Sequence, residues 1–128
     1  MKEQLKAVEE FHKVFKQDYY TFPMLINTKE AELRHRLLVE ESEEYLAAAK
    51  EGDMVEIADA LGDQLYILYG TIIKHGMQHL IVDIFNEIHR SNMSKLGDDG
   101  EPILREDGKI LKGPGYTKPD IMSIIIPF

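Results

Sequence analysis

The chain has 128 residues, which is long enough for one hydrophobic core, and we expect a single domain over residues 1–128. Its formal net charge of -8 disfavours a nucleic-acid groove, because such a groove needs a surplus of Lys and Arg. The absence of cysteine excludes disulfides, zinc–thiolate sites and cysteine nucleophiles. No apolar run is long enough to span a bilayer, and the amphipathic N-terminus, which carries acidic residues, is not typical of a secretory signal. We therefore expect a cytoplasmic protein without a membrane partner.

The first part of the chain predicts two helices. Residues 3–17 carry apolar side chains at helical spacing. An aromatic-rich connection over residues 18–27, broken by Pro23, leads to a second helix over about residues 28–51, for which Thr28 is the predicted N-cap. The predicted core positions of the first helix are Leu5, Val8, Phe11 or His12, and Phe15.

Two further helices follow. Gly52 ends the second helix, and Asp53 caps a third that runs to about His75, with Glu56 placed to complete a capping box. A fourth helix is predicted over about residues 79–94. One apolar face of the third helix is the predicted main core contact, and it consists of Ile57, Leu61, Leu65, Leu68 and Ile72.

The pattern changes after Gly97. Two Asp-Gly steps lie around short apolar pairs, and the pairs at residues 103–104 and 110–111 flank a turn, which predicts a small hairpin. The expected fold class is therefore all-α: a four-helix, antiparallel, bundle-like domain with a short C-terminal hairpin or tail over about residues 97–128.

Carboxylates occupy the helix faces that should meet. Residues 40–63 contain nine acidic residues and a single basic one, Lys50, so salt bridges between successive turns cannot neutralise them. The second and third helices should form an antiparallel hairpin, which brings their acidic stripes opposite each other. Converging carboxylates need a positive partner, and Mg²⁺ or Mn²⁺ suits a site made only of oxygen ligands. The predicted metal ligands are Glu41, Glu44, Glu56 and Asp59, with Asp63 as an outer or additional ligand.

Other interpretations of the acidic residues remain open. They could line a solvated helix face, as we expect for Glu43. The spacing also leaves a second register, because Glu40 and Glu43 form a Glu-x-x-Glu pair of their own. We favour Glu41 and Glu44 because they share a stripe with Leu37.

The fourth helix ends in polar residues on its apolar stripe. Asn92 and Lys95 continue the stripe formed by residues 81, 84, 85 and 88. An amide and an ammonium at this place predict a pocket mouth that binds an anionic ligand. Each alone would fit an ordinary helix C-terminus, with the cation stabilising the helix dipole.

The motifs "EESEE", "EIADALGD", "LYILYG", "FNEIHRSNMSK" and "DGKILKGPGYTKPDI" together resemble the all-α nucleoside triphosphate pyrophosphohydrolases, the MazG-like superfamily. The resemblance covers about residues 30–121 and is closest to the short, single-domain members, some of which are dimeric and hydrolyse dUTP. It implies an Mg²⁺-dependent nucleoside triphosphate diphosphatase that cleaves between the α- and β-phosphates and releases a monophosphate and pyrophosphate. It also implies a role in house-cleaning or in control of the dUTP and dNTP pools.

The resemblance assigns roles to individual residues. Glu41, Glu44, Glu56 and Asp59 match the metal-binding motifs, and Glu40 or Glu41 is the candidate for activating the attacking water. It further implies that the substrate is bound by Asn92 at the sugar, by Lys95 at the phosphates, and by Lys112 and Tyr116 from the C-terminal tail.

The expected partners are a nucleoside triphosphate and a second copy of the chain, in a homodimer or a tetramer of two dimers. Two alternatives stay open: a phosphoribosyl-ATP pyrophosphohydrolase-like enzyme, against which the "NMSK…GPGY" tail argues, and a non-catalytic helical dimerisation module. The nucleobase is not encoded in any recognisable side-chain pattern, although Phe22, Tyr66 and Tyr69 could stack on it.

Overall fold

A computed structural model of the chain describes residues 1–126. Within them the regular structure is helical, and the all-α prediction is confirmed. The chain divides into two compact units, of which the first is Met1–His79 and the second begins at Leu80. No helix among the described residues is long and apolar enough to cross a membrane. The helices are α1 (Lys2–Val14), α2 (Thr28–Glu51), α3 (Met54–Lys74), α4 (Ile81–Met93) and a short α5 (Met122–Ile125) that the sequence pattern did not predict.

In the first unit α3 is central, and both α2 and α1 pack against it. The turn between α2 and α3 is as tight as predicted. Gly52 adopts a left-handed conformation with φ 71°, and the backbone N–H of Asp53 donates to the carbonyl of Ala48. The Asp53 carboxylate accepts the N–H of Glu56 at 3.2 Å, which is the first half of the predicted capping box. This tight turn reverses the direction of the chain, so α2 and α3 form the expected hairpin.

The N-cap of α2 differs from the prediction by one residue. The side-chain oxygen of Asn27 accepts the N–H of Glu30 at 2.8 Å, and the backbone of Asn27 is extended. Thr28 is already helical, so its assignment as N-cap was wrong. Asn and Thr both cap helices, and only the backbone conformation distinguishes the capping residue from the first helical one.

The predicted core face of α3 is also wrong. Leu61, Leu65 and Leu68 are 46%, 52% and 44% exposed. The buried positions of α3 are Ala60, Gly70, Ile73 and Lys74. The small residues Ala60 and Gly70 lie on the acid-bearing stripe, where they let the neighbouring helices approach closely. The stripe that carries the acids therefore packs inward, and the leucine stripe lies largely outside the first unit's core.

Helix α1 is shorter than predicted and packs through Leu5, Val8 and His12. Phe11 and Phe15, two of the predicted core positions, are 39% and 60% exposed. The buried imidazole is held by a 2.9 Å hydrogen bond between its Nδ1 and the carbonyl of Val8. Of the two alternatives at this turn, His12 is the inward residue.

The aromatic connection between α1 and α2 is fixed to the C-terminal end of α3. The N–H of Met24 donates to the carbonyl of His75 at 3.0 Å, and Nδ1 of His75 lies 2.8 Å from the carbonyl of Met24. Gly76 has φ 68°, and a Cβ there would lie 2.0 Å from the carbonyl oxygen of Phe22. Only glycine fits this approach without moving the connection.

The second unit contains α4, the predicted hairpin and the C-terminal segment. An antiparallel bridge pairs Leu104 with Ile110, which confirms the hairpin between the two apolar pairs. The hydroxyl of Ser91, buried on α4, donates to the carbonyl of Thr117 at 2.8 Å. The N–H of Gly113 donates to the carbonyl of Lys95 at 2.9 Å. The segment after the hairpin thus returns along the C-terminal half of α4.

Candidate active site

The carboxyl group of Glu41 is the most perturbed acid in the first unit. Its Oε2 is buried and has no hydrogen-bond partner. Burial, followed by contact with Glu44 and the negative charges of Asp63 and Asp59, raises the pKa of Glu41 to about 7. A buried, unpartnered carboxyl oxygen among three other carboxylates is unfavourable unless a proton or a cation occupies the space.

The helix hairpin brings these four acids together from two sides. Glu41 and Glu44 are one turn apart on α2, and Asp59 and Asp63 are one turn apart on α3. The amide of Gln64 donates to the carbonyl of Glu41 at 3.2 Å and ties the two helices at this level.

The predicted acids differ in their place relative to this group. Asp63, which the sequence pattern predicted to be an outer or an additional metal ligand, acts on Glu41 more strongly than Asp59 does. Glu56 lies in the first turn of α3 and is exposed, as are Glu40 and Glu43 on α2. Glu44 is exposed as well, but it acts on Glu41, whereas Glu40 and Glu43 are not among the groups that do so.

In the part of the chain that the structure describes, no three His, Asp or Glu side chains enclose a point closely enough to form a finished metal site. The charges of Glu44, Asp63 and Asp59 all act on Glu41, and the side chains of Glu44 and Asp59 are exposed. The residues fit a divalent cation by donor type and by the unpartnered oxygen of Glu41.

A pocket of about 420 Å³ lies between α1, α2 and α3. Leu37 and Ile67 line it, and each is one turn from an acid of the cluster, Glu41 and Asp63 respectively. The pocket is therefore next to the carboxylates. Its wall is mainly apolar and aromatic, and its lining includes Val8, Phe11, His12, Phe15, Gln17, Arg34, Tyr66, Gly70 and Lys74.

Two basic residues line the inner part of this pocket. Lys74 is buried and forms a 2.7 Å ion pair with Glu30. Arg34 donates from Nε to the hydroxyl of Thr71 at 3.0 Å and from Nη2 to the carbonyl of Ile67 at 2.6 Å. Burial lowers the pKa of Arg34 and, with the nearby Lys74 and Arg34 charges as smaller causes, that of His12.

The remaining predicted site residues belong to the second unit. Asn92 is exposed near the end of α4, and its carbonyl accepts the N–H of Lys95. The ammonium of Lys112 lies 4.7 Å from the ring centre of Tyr116, a cation–π contact within the C-terminal segment. The roles of these four residues in substrate binding stay predictions.

The central hairpin of this helical fold therefore gathers four carboxylates around one buried oxygen. Residues 8–92 match the family model of phosphoribosyl-ATP pyrophosphohydrolase. The match covers more than half of the chain, so the chain belongs to this family, which is part of the MazG-like all-α superfamily. The expected superfamily is confirmed, but the matching family is the one that the sequence left open as an alternative and not the short dUTP-hydrolysing members. The activity that the family carries is that of a nucleotide pyrophosphohydrolase, a hydrolase acting on acid anhydrides. A search of curated proteins gave no match.

Sequence reasoning did not identify the basic side of the pocket. Arg34 lies on the same stripe of α2 as Leu37 and Glu41, two turns before the glutamate. Gly70 lies at the matching level of α3, and a Cβ there would be 2.6 Å from Nη2 of Arg34. An arginine on an inward stripe opposite a helical glycine is the signal that could have located it.

Proposed function

We propose that the chain is a metal-dependent pyrophosphohydrolase that cleaves the α–β phosphate bond of a nucleoside triphosphate or of a nucleotide that carries a triphosphate. The observation that carries the proposal is the buried, unpartnered oxygen of Glu41 beside Glu44, Asp59 and Asp63. The family supports the bond that is cleaved.

Glu41, Glu44, Asp59 and Asp63 would hold Mg²⁺, or Mn²⁺ in its place, with Glu56 as a further ligand from the first turn of α3. The bound cation supplies charge neutralisation at the phosphates and a more acidic water. The carboxylates hold the cation and orient the attacking water, and Glu40 or Glu41 is the proposed base. An acidic site of this kind repels a polyphosphate unless cations accompany it.

Two substrates follow from different observations. Phosphoribosyl-ATP is the first to test, because the family that matches residues 8–92 carries its name. A deoxynucleoside triphosphate such as dUTP is the second. The family match ends at Asn92, and the "NMSK" and "DGKILKGPGY" segments, which resemble the dNTP-hydrolysing members, lie at or beyond that limit. Asn92, Lys95, Lys112 and Tyr116 are proposed to bind this second substrate.

The test is release of pyrophosphate from phosphoribosyl-ATP and from a panel of dNTPs, with and without Mg²⁺. We expect release from at least one substrate only when Mg²⁺ or Mn²⁺ is present, and poor turnover with Ca²⁺, whose coordination is looser. Absence of pyrophosphate from every substrate in the presence of Mg²⁺ would contradict the proposal.

A matched pair of variants tests which glutamates of α2 are needed for turnover. Glu44→Gln removes one charge from the cluster, so turnover should fall by orders of magnitude while the fold persists. Glu43→Gln is the control, since its carboxylate is exposed outside the cluster. If Glu43→Gln abolishes turnover and Glu41→Gln does not, the site is built from Glu40 and Glu43 instead.

We also propose that the protein acts as a homodimer or as a tetramer of two dimers. Support comes from the leucine stripe of α3, where Leu61, Leu65 and Leu68 are each close to half exposed. A regular apolar stripe of this kind on a central helix is typical of a surface that another copy covers.

A further inference from the structure

Arg34 keeps hydrogen-bonding capacity that the protein does not use. Its Nε and Nη2 donate to Thr71 and Ile67, and both acceptors are neutral. Within residues 1–126 no acceptor pairs with Nη1. A guanidinium is a rigid fork of donors that cannot lose its charge, so its free side requires an oxygen acceptor when it is removed from water.

Among residues 1–126, Arg34 also forms no ion pair with a carboxylate. The other cation of the pocket, Lys74, is already paired with Glu30 at 2.7 Å. Glu30 also acts on Arg34 through its charge, but among residues 1–126 it forms an ion pair with Lys74 and not with Arg34. A part-buried guanidinium without an ion pair favours a ligand that brings an anionic or strongly polar oxygen.

The position of Arg34 suits the far end of a nucleotide. Arg34 precedes Glu41 by seven residues on α2, which is about 10 Å along the helix axis. A nucleotide whose phosphates lie at the carboxylates can reach this distance with its base. The pocket wall includes Phe11, Tyr66 and Leu37, whose side chains suit the faces of a base or sugar.

We propose, resting on the pyrophosphohydrolase function above, that this pocket takes the base end of the substrate and that Arg34 selects it by donating hydrogen bonds to an oxygen there. The oxygen has two possible sources: an exocyclic carbonyl of the base, or the phosphate of a second phosphoribosyl group. An amino group at the same place would face the donors of Arg34 and leave them unpaired, which makes Arg34 a specificity-determining residue.

The kinetic test compares substrates that differ at one group. The first comparison, the carbonyl arm, tests a base carbonyl with ITP against ATP and with dUTP against dCTP. The second, the phosphate arm, tests the second phosphate with phosphoribosyl-ATP against ATP. Inorganic tripolyphosphate is the reference without a base. For Arg34→Met we expect kcat/KM to fall about 10- to 100-fold on the oxygen-bearing member of one arm, with little change on its partner and on tripolyphosphate. A fall in the carbonyl arm identifies the base carbonyl, and a fall in the phosphate arm identifies the second phosphate.

Two further variants separate recognition from damage to the fold. Gly70→Ala keeps the charge but places a Cβ 2.6 Å from Nη2, so it should displace the guanidinium and weaken the same arm. Arg34→Lys keeps the charge and loses the fork, and should recover only part of the preference. Arg36→Met is the control, because Arg36 is exposed on the same helix. Equal losses on tripolyphosphate and on all nucleotides, or an unchanged preference in both arms, would overturn the proposal.

A binding experiment makes the result independent of catalysis. Affinities for IMP against AMP, UMP against CMP, and ribose 5-phosphate are measured by calorimetry for the wild type and for Arg34→Met. A preference for an oxygen-bearing probe that Arg34→Met removes supports the pocket even if no triphosphate is cleaved, in which case only the proposed function fails. Cleavage and binding that do not depend on Arg34 would refute the pocket alone.

Discussion

Lys74 and Glu30 form an ion pair whose two side chains differ in solvent exposure. The side chain of Lys74 is 9% exposed and that of Glu30 is 31% exposed, with 2.7 Å between the charged atoms. Removing one partner of a buried pair leaves the other charge uncompensated, and the cost depends on how well water can reach it.

We predict that Glu30→Gln destabilises the protein more than Lys74→Met does. The first change leaves a buried ammonium, at a cost of about 3 kcal/mol, whereas the second leaves a carboxylate that water can solvate. Urea denaturation of both variants measures the difference. Equal losses, or a larger loss for Lys74→Met, would mean that packing of the lysine stem outweighs its charge.

A second prediction at this scale compares two glycines with similar backbone conformations. Gly52 and Gly76 have φ 71° and 68°, but a Cβ at Gly52 meets open space and one at Gly76 meets the backbone of Phe22. Gly52→Ala should therefore cost about 1 kcal/mol for the left-handed conformation alone. Gly76→Ala should cost at least twice as much, as thermal or urea unfolding would register, and equal costs would contradict the close approach.

At the scale of elements, the segment after the hairpin is attached to α4 by charged groups. Glu87 accepts two hydrogen bonds from Arg90, at 2.7 and 2.9 Å, and one from the N–H of Asp120 at 2.7 Å. These contacts, Arg90 first and the Asp120 N–H second, lower the pKa of Glu87 to about 2. Arg90 also donates to the hydroxyl of Thr117 at 2.7 Å.

We predict that this attachment weakens in acid. The folded pKa of Glu87 lies below its ordinary value of 4.5, so its contribution is fully present above pH 4.5 and is lost as the pH falls towards 2. The NMR signal of the Asp120 amide, which donates to Glu87, should shift over this range. Glu87→Gln should remove the shift and leave the segment weakly held at every pH, and an unaltered titration in that variant would contradict the assignment.

The helices illustrate what the sequence could and could not predict. The end of α2 and the start of α3 were predictable because Gly52 is a strong helix-ending signal and Asp53 a strong N-cap signal. The inward face of α3 could not be predicted, because both of its stripes have helical spacing. Hydrophobicity favours the stripe of Leu61, Leu65 and Leu68 as the core face. In the structure the other stripe packs inward, because the small residues Ala60 and Gly70 permit close contact with the neighbouring helices.

The candidate site divides in the same way. Its acids were predicted because Glu41 and Glu44 repeat at one helical turn and have no basic residues nearby in the sequence. Arg34 was missed because its signal, an arginine on the stripe of Leu37 and Glu41 opposite the helical Gly70, becomes clear only when the pairing of α2 with α3 is known. Its role depends on Thr71 and on the space above Gly70, which are far away in sequence.

For the whole molecule we predict self-association through the leucine stripe. Leu65→Glu, in the middle of the stripe, should shift the protein from dimer or tetramer to monomer, as light scattering would detect. Val14→Glu is the control, because Val14 is 64% exposed at the end of α1. A wild-type protein that is monomeric at working concentrations would contradict the prediction.

Metal binding is a second predicted property of the whole chain. We predict that Mg²⁺ binds the assembled carboxylates and not the unfolded chain, so the melting temperature should rise as the Mg²⁺ concentration is increased above the Kd. Glu44→Gln should reduce this rise, and Glu43→Gln should keep it. A melting curve that does not change across millimolar Mg²⁺ would count against the cluster as a cation site.

The attachment of the aromatic connection to the end of α3 also constrains the order of events during synthesis. Met24 is held by His75, 51 positions later, and the carbonyl of Tyr20 accepts the amide of Gln78, 58 positions later. The connection emerges from the ribosome well before these partners exist. The connection, including Phe22, therefore cannot form these native contacts until α3 has been synthesised. Arrest of translation before residue 75 would leave α1 and α2 joined by a loop that has nothing to hold it.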